Sequence, residues 1–300
     1  MYRIERQLPA NQPGVAILVP FRDKPELLAT CADSILEKTD YENLELVLID
    51  NGSVERETLD LLEKLRADPR VKIISDSSSF NYSRLNNLGA RMTDKEYVCL
   101  LNNDIEVINS DWLRDMMSYA VVDGVGCVGP KLYYPRGSIQ HAGVVLGMGG
   151  VAGHAFLNKS LADAGYFGRL LVASNYSALT GACLLVKRET FFRAGGLDER
   201  DLSVAFNDID FCIKVQALGL RNVFTPFARL IHHESASRGA DSTPEKAARF
   251  QRECAVMAAR HVDILKRDPY YSPHLSLEGS DFSIRRRSSN TAIPPNEFYN

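Results

Sequence analysis

The densest chemistry in the chain lies in Leu100-Leu101-Asn102-Asn103-Asp104-Ile105-Glu106-Val107, where the apolar run from Tyr97 to Leu101 stops in a cluster of polar side chains. Such a run reads as a strand covered on both faces, and ligands of open α/β sheets bind beyond the carboxyl ends of the strands. Asp104 therefore falls where oxygen ligands for chemistry in a cleft are expected. An ordinary Asn/Asp turn after a strand is the alternative reading. Three further polar clusters stand out: Asp50-Asn51-Gly52-Ser53, Asn207-Asp208-Ile209-Asp210, and His232-His233-Glu234-Ser235. Asp50 is either a strand-end ligand or a turn residue ahead of Asn51-Gly52. Asp208 and Asp210 offer carboxylates for proton transfer, or else favour a helix N-terminus. The histidines offer imidazole nitrogens to a metal, or form a hydrogen-bonded surface pair.

These clusters need elements to position them. Val15–Val19 is a short apolar run closed by Pro20, and Pro25 opens a helix carrying Leu27, Leu28, Cys31, Ile35 and Leu36 at helical spacing. The pattern then predicts a strand over Leu44–Ile49, a helix marked by Leu59, Leu61, Leu62 and Leu65, a strand over Val71–Ile74, a helix from Ser83 to Arg91, and the strand into Asn102. Four strands alternating with three helices in about 90 residues is the signature of an open parallel sheet with right-handed crossovers. The second half is less regular. A helix follows Trp112, a strand covers Val125–Val128, and Gly143–Gly153 reads as a flexible glycine-rich loop. Ala178–Val186 looks like a central strand interrupted by Gly181, and Gly195-Gly196 ends a helix begun near Glu189. A helix to Leu218, a short strand over Asn222–Thr225 and one amphipathic helix over 244–266 complete the pattern. Residues 1–14 read as a loose leader, and the last 30, with Arg285-Arg286-Arg287 and Pro294-Pro295, as a mobile or partner-wrapping tail.

Composition narrows the function classes. Three hundred residues with 45% apolar content provide ample core. A net charge of -3 gives no global electrostatic reason to expect nucleic-acid binding. No apolar run approaches the roughly 20 residues needed to span a bilayer, and the N-terminus carries no signal-peptide core, so the expected location is the cytoplasm. Six widely spaced cysteines with no CxxC pair read as buried free thiols. Phe21-Arg22-Asp23-Lys24 stands where a dinucleotide fingerprint would follow the first strand, which disfavours a nicotinamide enzyme.

Taken together, Val19-Pro20, Leu48-Ile49-Asp50-Asn51-Gly52-Ser53, Asn86-Asn87-Leu88-Gly89, Leu101-Asn102-Asn103-Asp104, Asn207-Asp208-Ile209-Asp210 and His232-His233 resemble, in order, the motifs of family-2 glycosyltransferases of GT-A fold. Ile139-Gln140-His141-Ala142-Gly143, Gly153-His154-Ala155 and the stretch from His232 to Gly239 are similar to segments of bacterial O-antigen and rhamnan-type polysaccharide transferases. The resemblance implies an α/β GT-A fold: a Rossmann-like nucleotide-sugar half over 15–108, with a mixed, mostly parallel sheet, fused to an acceptor half over 109–240. A leader (1–14) and a C-terminal helix and tail (241–300) would flank it. In that group such a domain is often one module of a longer polypeptide, which the abrupt start suits.

The family's metal-binding acid maps to Asp104, while Asn102 stands at the first acidic position of the DXD motif, so one ligand charge is lost. Asn102 and Asn103 then fall to ribose or water-mediated contacts. His232 matches a histidine that binds manganese or magnesium, with His233 as its rival. A divalent ion held there would neutralise a departing nucleoside diphosphate. Asp50 matches the contact to the nucleobase imide of a UDP- or dTDP-sugar, Pro20, Phe21 and Arg22 would border the base, and Arg84 and Asn87 would lie near the diphosphate or base edge. Asp208 matches the general base that takes the proton from the acceptor hydroxyl, with Asp210 as its support. His154, Thr180 and Gly181 are expected on the acceptor side, where a glycan or lipid-linked glycan would enter. The implied reaction is an inverting single displacement, peripheral association with the inner face of the membrane being compatible with it. A glycoside hydrolase would also use paired carboxylates but has no need of Asp50 at a nucleobase position. A catalytically silent module that holds a sugar nucleotide or glycan inside a larger assembly is the other reading, and a nucleotidyltransferase is disfavoured because no glycine-rich, lysine-bearing loop follows the first strand.

Overall fold

The computed structural model describes residues 3–4, 6–233 and 243–286. The first half holds β1 (Val15–Phe21), α1 (Pro25–Lys38), β2 (Leu44–Asp50), α2 (Arg56–Leu65), β3 (Val71–Ser75), α3 (Tyr82–Arg91) and β4 (Tyr97–Leu101). The strands lie in the order β4-β1-β2-β3, all parallel. Both faces of β1 are buried: Val15, Ile17 and Val19 pack with Leu28, Ile35 and Trp112, while Ala16 and Leu18 pack with Leu85 and Ala90. Alternation across the pleat thus explains the unbroken apolar runs. Each fully buried Leu or Ile contributes roughly 1.5–3 kcal/mol, so a charge at Ile17 or Leu18 would break the layer it faces.

The second half contributes β5 (Ile105–Val107), α4 (Trp112–Ala120), β6 (Val125–Tyr133), β7 (Ile139–His141), β8 (Val144–Leu146), β9 (Ala152–His154), β10 (Ser174–Tyr176), β11 (Cys183–Lys187), α5 (Arg188–Arg193), α6 (Asn207–Ala217), β12 (Arg221–His232), α7 (Pro244–Arg260) and α8 (Val262–Lys266). The main path runs β10-β12-β6-β11-β4-β1-β2-β3, so one sheet joins both halves across the 108/109 boundary. β11 is antiparallel to β4 and β6, and β12 is parallel to β6. The sheet is mixed, with its uninterrupted parallel part in the first half, as the GT-A expectation requires.

Several sequence expectations are corrected. β1 and β2 continue through Phe21 and Asp50, carrying the polar turn outward. The strand expected at Asn222–Thr225 runs on to His232, because Pro226 lies in a register shift between Phe224 and Arg229 where its missing N–H breaks no ladder. The strand expected over Ala178–Val186 begins only at Cys183: Gly181 donates its N–H to Asp208 and its carbonyl accepts the Tyr82 hydroxyl, away from any sheet. Gly143–Gly153 is a hairpin of β8 and β9 rather than a flexible loop. Gly143 sits at φ 103, and a Cβ there would lie 2.6 Å from the Tyr176 ring. Its glycine serves close packing. The helix expected over 244–266 breaks at His261 into α7 and α8. The leader is tied down, with Arg3 bound to Asp111 and Tyr41 donating to the Pro13 carbonyl. In the tail, Phe282 is buried and stacks on Phe156 with ring centroids 4.4 Å apart. Glu234–Gly239 and 287–300, including Arg287 and Pro294-Pro295, lie outside the described residues. Five cysteines are buried, Cys254 is half-buried, and all six are free.

Candidate active site

Asn102, Asp104 and His232 converge. Asn102 and Asp104 leave the end of β4, and the Asn102 N–H donates to the Ala182 carbonyl at 3.1 Å. β12 runs antiparallel to β5 with His232 opposite Ile105, which brings His232 Nε2 to 3.2 Å from Asp104 Oδ1 and 3.3 Å from Asn102 Nδ2. Asp104 and His232 are 4% and 6% exposed, so this is a buried carboxylate–imidazole pair at the sheet's edge. His233 faces elsewhere, with Nε2 3.2 Å from Glu106 Oε2. The geometry thus favours His232 over His233 as the neighbour of Asp104. The donor set fits a divalent cation such as manganese: the Asp104 carboxylate oxygen and His232 Nε2 face each other at 3.2 Å, a hard oxygen beside an imidazole nitrogen. No group of three His, Cys, Asp or Glu side chains that could hold a metal occurs among the described residues, so substrate phosphates and water would complete the coordination. Beneath the pair, Cys31 lies against the Asn102 carbonyl, and burial together with the Asp104 charge pushes its thiol well up. It is structural.

The second convergence surrounds Asp50. Its carboxylate is nearly buried and accepts the Ser53 N–H at 2.8 Å, while its carbonyl accepts the Asp76 N–H. Buried Asn51 donates to the Asp76 and Ser78 carbonyls, and Arg84 pairs with Asp76 and donates to the Ser79 carbonyl at 3.0 Å. Arg84 is therefore held by the loop after β3, whose Asp76 N–H bonds the Asp50 carbonyl. The Ser78 hydroxyl, then the Ser78 N–H and the Arg84 guanidinium, outweigh burial and hold the Asp76 carboxyl below its usual range. Asp76 lies outside the sequence motifs, and Asn51 stands in one of them only as a turn residue after Asp50. An Asn-Gly and a serine-rich loop look like turn chemistry, and only the fold makes them a support for Arg84.

Two of the residues expected near the nucleotide are engaged within the protein. The Asn87 amide donates to the Leu197 carbonyl and to Glu199 and accepts the Leu197 N–H, so it clamps the 197–199 segment instead of facing a diphosphate. Phe21 is 4% exposed in the core layer with Leu28 and Cys31, so its ring supports the strand end rather than bordering a base. Pro20 is buried beside it in β1, and Arg22 projects outward with a side chain 60% exposed. Asn103 is buried next to Asp104.

Asp208 lies in the first turn of α6. Gly181 donates its N–H to Asp208 Oδ2 at 2.7 Å, and Ile209 donates to Oδ1 at 2.8 Å, fixing the carboxylate over the turn that leads into β11. A Cβ on Gly181 would lie 3.2 Å from the Asp208 Cβ and 3.5 Å from the Tyr82 hydroxyl. The missing Cβ therefore makes room for Asp208. Gly181→Val should displace the carboxylate and destabilise the fold by about 1–3 kcal/mol, read as a lower melting temperature together with lost turnover; a variant as stable and active as wild type would refute this packing role.

Two buried carboxylates hold α6 and its approach. Glu253 of α7 accepts the Ser203 hydroxyl and the Val204 and Ala205 N–H groups just before the helix. Asp210, 1% exposed, pairs with Lys214 at 2.9 Å and His261 at 2.8 Å, with Arg260 at 3.4 Å. Burial raises the Asp210 carboxyl, but the His261 hydrogen bond and the Lys214 charge outweigh it and carry it from 3.8 to about 2. A depressed folded value means stability that is present above the unfolded value and lost as pH falls through the folded one, here from about pH 4 toward 2. Asp210→Asn should cost about 1.5–3 kcal/mol at neutral pH and flatten that acid limb in thermal melts taken across pH; an unchanged limb would exclude Asp210 as its source.

On the remaining side, Thr180 is nearly buried and accepts the Ala182 N–H at 3.2 Å. His154 lies opposite Val144 in the hairpin, and Val144 bridges to Ala178 two residues before Thr180. His154 Nδ1 is 2.9 Å from Nδ1 of the fully buried His141. Burial first, then the neighbouring His154 and His232, holds His141 well below the usual histidine range.

The arrangement is a strand-end carboxylate at Asp50, a carboxylate–histidine pair at Asp104 and His232, and a helix-borne carboxylate at Asp208. Residues 16–192 match the model of glycosyl transferase family 2. The chain belongs to that family. It is 43% identical over 275 residues to the O-antigen biosynthesis protein RfbC of Myxococcus xanthus, matching 91% of this chain and 21% of that protein. It is 52% identical over 273 residues to an uncharacterized protein, y4gI, of Sinorhizobium fredii, matching 91% of this chain and 30% of that one. The chain thus spans less than a third of the length of either relative. In three dimensions it resembles the crystal structure of GalNAc-T7 with UDP, GalNAc and Mn2+, with a TM-score of 0.67 at 17% identity, over 86% of this chain and 50% of that one. The family-2 domain has the GT-A fold.

Proposed function

We propose that this family-2 domain transfers a sugar from a UDP- or dTDP-sugar to a hydroxyl of a glycan or lipid-linked glycan in bacterial surface polysaccharide synthesis, by an inverting single displacement. The supporting observation is the pairing of Asp104 with His232 at 3.2 Å, made by strands more than a hundred residues apart and set beyond the carboxyl end of β4. Asp50 takes the base and Arg84 the near edge of the nucleotide. Asn102 orients His232 and meets the ribose side. Asp104 and His232 would hold manganese or magnesium, which would supply positive charge to the departing diphosphate. Asp208 receives the proton of the attacking hydroxyl, and Gly181 fixes the direction of its carboxylate. Thr180 and His154 lie toward the acceptor.

Use of O-antigen precursors rests on the likeness to RfbC, and the manganese expectation on the UDP- and Mn2+-bound GalNAc-T7. The domain works in the cytoplasm at the inner face of the membrane, as one module of a longer transferase. No helix among the described residues is long and apolar enough to cross a membrane. The deciding experiment is a thermal-shift screen of nucleoside diphosphates and their sugars with and without manganese. A ligand at 100 times its Kd stabilises the native state by about 2.7 kcal/mol, and the pyrimidine donors should shift the melt most with metal present. A larger shift with purine donors would overturn the base assignment, and no shift with any donor would overturn the reading.

A further inference from the structure

A cleft of about 620 Å³ opens between the turn over Tyr166–Leu171 and the chain leaving α8, and its wall includes Arg169, Arg267, Pro269, Tyr270, Tyr271 and Pro273. That volume falls within the roughly 300–1,000 Å³ of small-molecule sites. The Arg169 guanidinium lies over two rings, 4.9 Å from the Tyr176 centroid and 5.5 Å from that of Phe282, and its Nε donates to the Tyr176 hydroxyl at 3.4 Å. Arg267 is exposed at the end of α8. Neither arginine is ion-paired with a carboxylate among the described residues. The acid in the cleft wall, Asp268, is 7% exposed and spent on the protein itself: Oδ1 accepts the Ser177 hydroxyl at 2.6 Å and the Tyr270 N–H at 2.8 Å, and Oδ2 accepts the Leu146 N–H at 2.8 Å. The wall thus carries two arginines without a paired counter-charge, one of them already ordered by ring faces. A planar guanidinium held in this way loses little freedom when it forks onto a carboxylate or phosphate.

We propose that this cleft is a second saccharide site that takes an acidic sugar, with its carboxylate or phosphate on Arg169 and Arg267 and its C–H face on the tyrosine and proline rings. Sugar rings present apolar C–H faces beside their hydroxyls, and aromatic side chains with a polar tip match that mixture. The concave shape suits a sugar and not the flat surface of a bilayer. Asp268 ties the cleft to the acceptor side, since it fastens Leu146 of β8 and also Ser177, three residues before Thr180. A glycan held here is retained beside the segment that leads to Thr180. The saccharide class rests on the function proposed above; the demand for an oxyanion does not.

The test is calorimetric titration of the 300-residue chain at low salt, with UDP and manganese present to occupy the donor centre. The probes are trigalacturonate, which carries carboxylates, and glucose 1-phosphate, with cellobiose and inorganic phosphate as controls. At least one acidic sugar should bind about tenfold more tightly than either control, and Arg267→Gln, a change at an exposed residue, should weaken it about tenfold. Whichever acidic sugar binds identifies the group as carboxylate or phosphate. Inorganic phosphate binding as tightly would overturn the sugar assignment, and cellobiose binding as tightly would overturn the oxyanion. Binding of neither acidic sugar, or binding unchanged in both Arg267→Gln and Arg169→Gln, would overturn the site. Cosedimentation with phosphatidylglycerol vesicles that is lost in Arg267→Gln, while no acidic sugar binds, would overturn it in favour of a lipid surface. Absence of turnover with any nucleotide sugar would strike the proposed function alone, because these titrations read binding without reaction.

Discussion

Asp208→Asn should lower kcat by about 10²–10⁴-fold, equivalent to roughly 3–5 kcal/mol of transition-state stabilisation, with little change in donor affinity. The amide oxygen can still accept the Gly181 N–H, so the turn before β11 keeps its anchor, while the bond from Ile209 is lost. That loss should cost only about 1 kcal/mol of stability. A folded variant that cannot take a proton separates the chemical role of Asp208 from its place at the start of α6. Near-wild-type turnover with an unchanged melting temperature would remove Asp208 from the role of base and leave it as a helix-terminal residue.

Asp104→Ala should abolish the response to divalent ions and cut kcat/KM by about 10²-fold or more, since charge stabilisation at a departing phosphate is worth several kcal/mol. With Asn102 at the position where the family motif carries an acid, Asp104 is, among the described residues, the carboxylate paired with His232, so its removal should leave His232 without that partner. The measurement is calorimetric titration of UDP and dTDP, each with manganese and with chelator. Wild type should bind more tightly with metal, and the variant equally weakly in both. Equal affinities in the wild type would exclude a cation from donor binding. Asp104→Asn is a useful companion, because it keeps the shape beside His232 while removing the charge.

The parallel half of the fold was legible because its strands are covered on both faces. Runs such as Leu44–Ile49 are apolar throughout, and Pro25 and Gly89 punctuate the helices between them. The second half was less legible for a physical reason. Its strands are short, antiparallel or bulged, and Pro226 lies within a strand whose register shift tolerates it. In the hairpin of β8 and β9, Tyr176 and Met148 fill the space that side chains at Gly143 and Gly153 would need, while Gly149 and Gly150 hold positive φ at the open turn, a pattern that in sequence reads as flexibility. Glu253 and Asp210 look like solvated charges on helices, yet each is at most 2% exposed and spent on fixing the approach to α6.

By itself the sequence determined the α/β class, the strand-end positions of Asp50 and Asp104, and the ordered motifs that resemble family-2 transferases. These are local properties: a covered strand must be apolar, and the residue after its carboxyl end lies at the sheet's edge. Only the tertiary structure decided that His232 rather than His233 meets Asp104, that Asn87 and Phe21 serve the protein's own packing, and that Gly181 makes space for Asp208. Those choices depend on register and twist between segments distant in the chain, and shifting a strand by one residue sends every side chain to the other face.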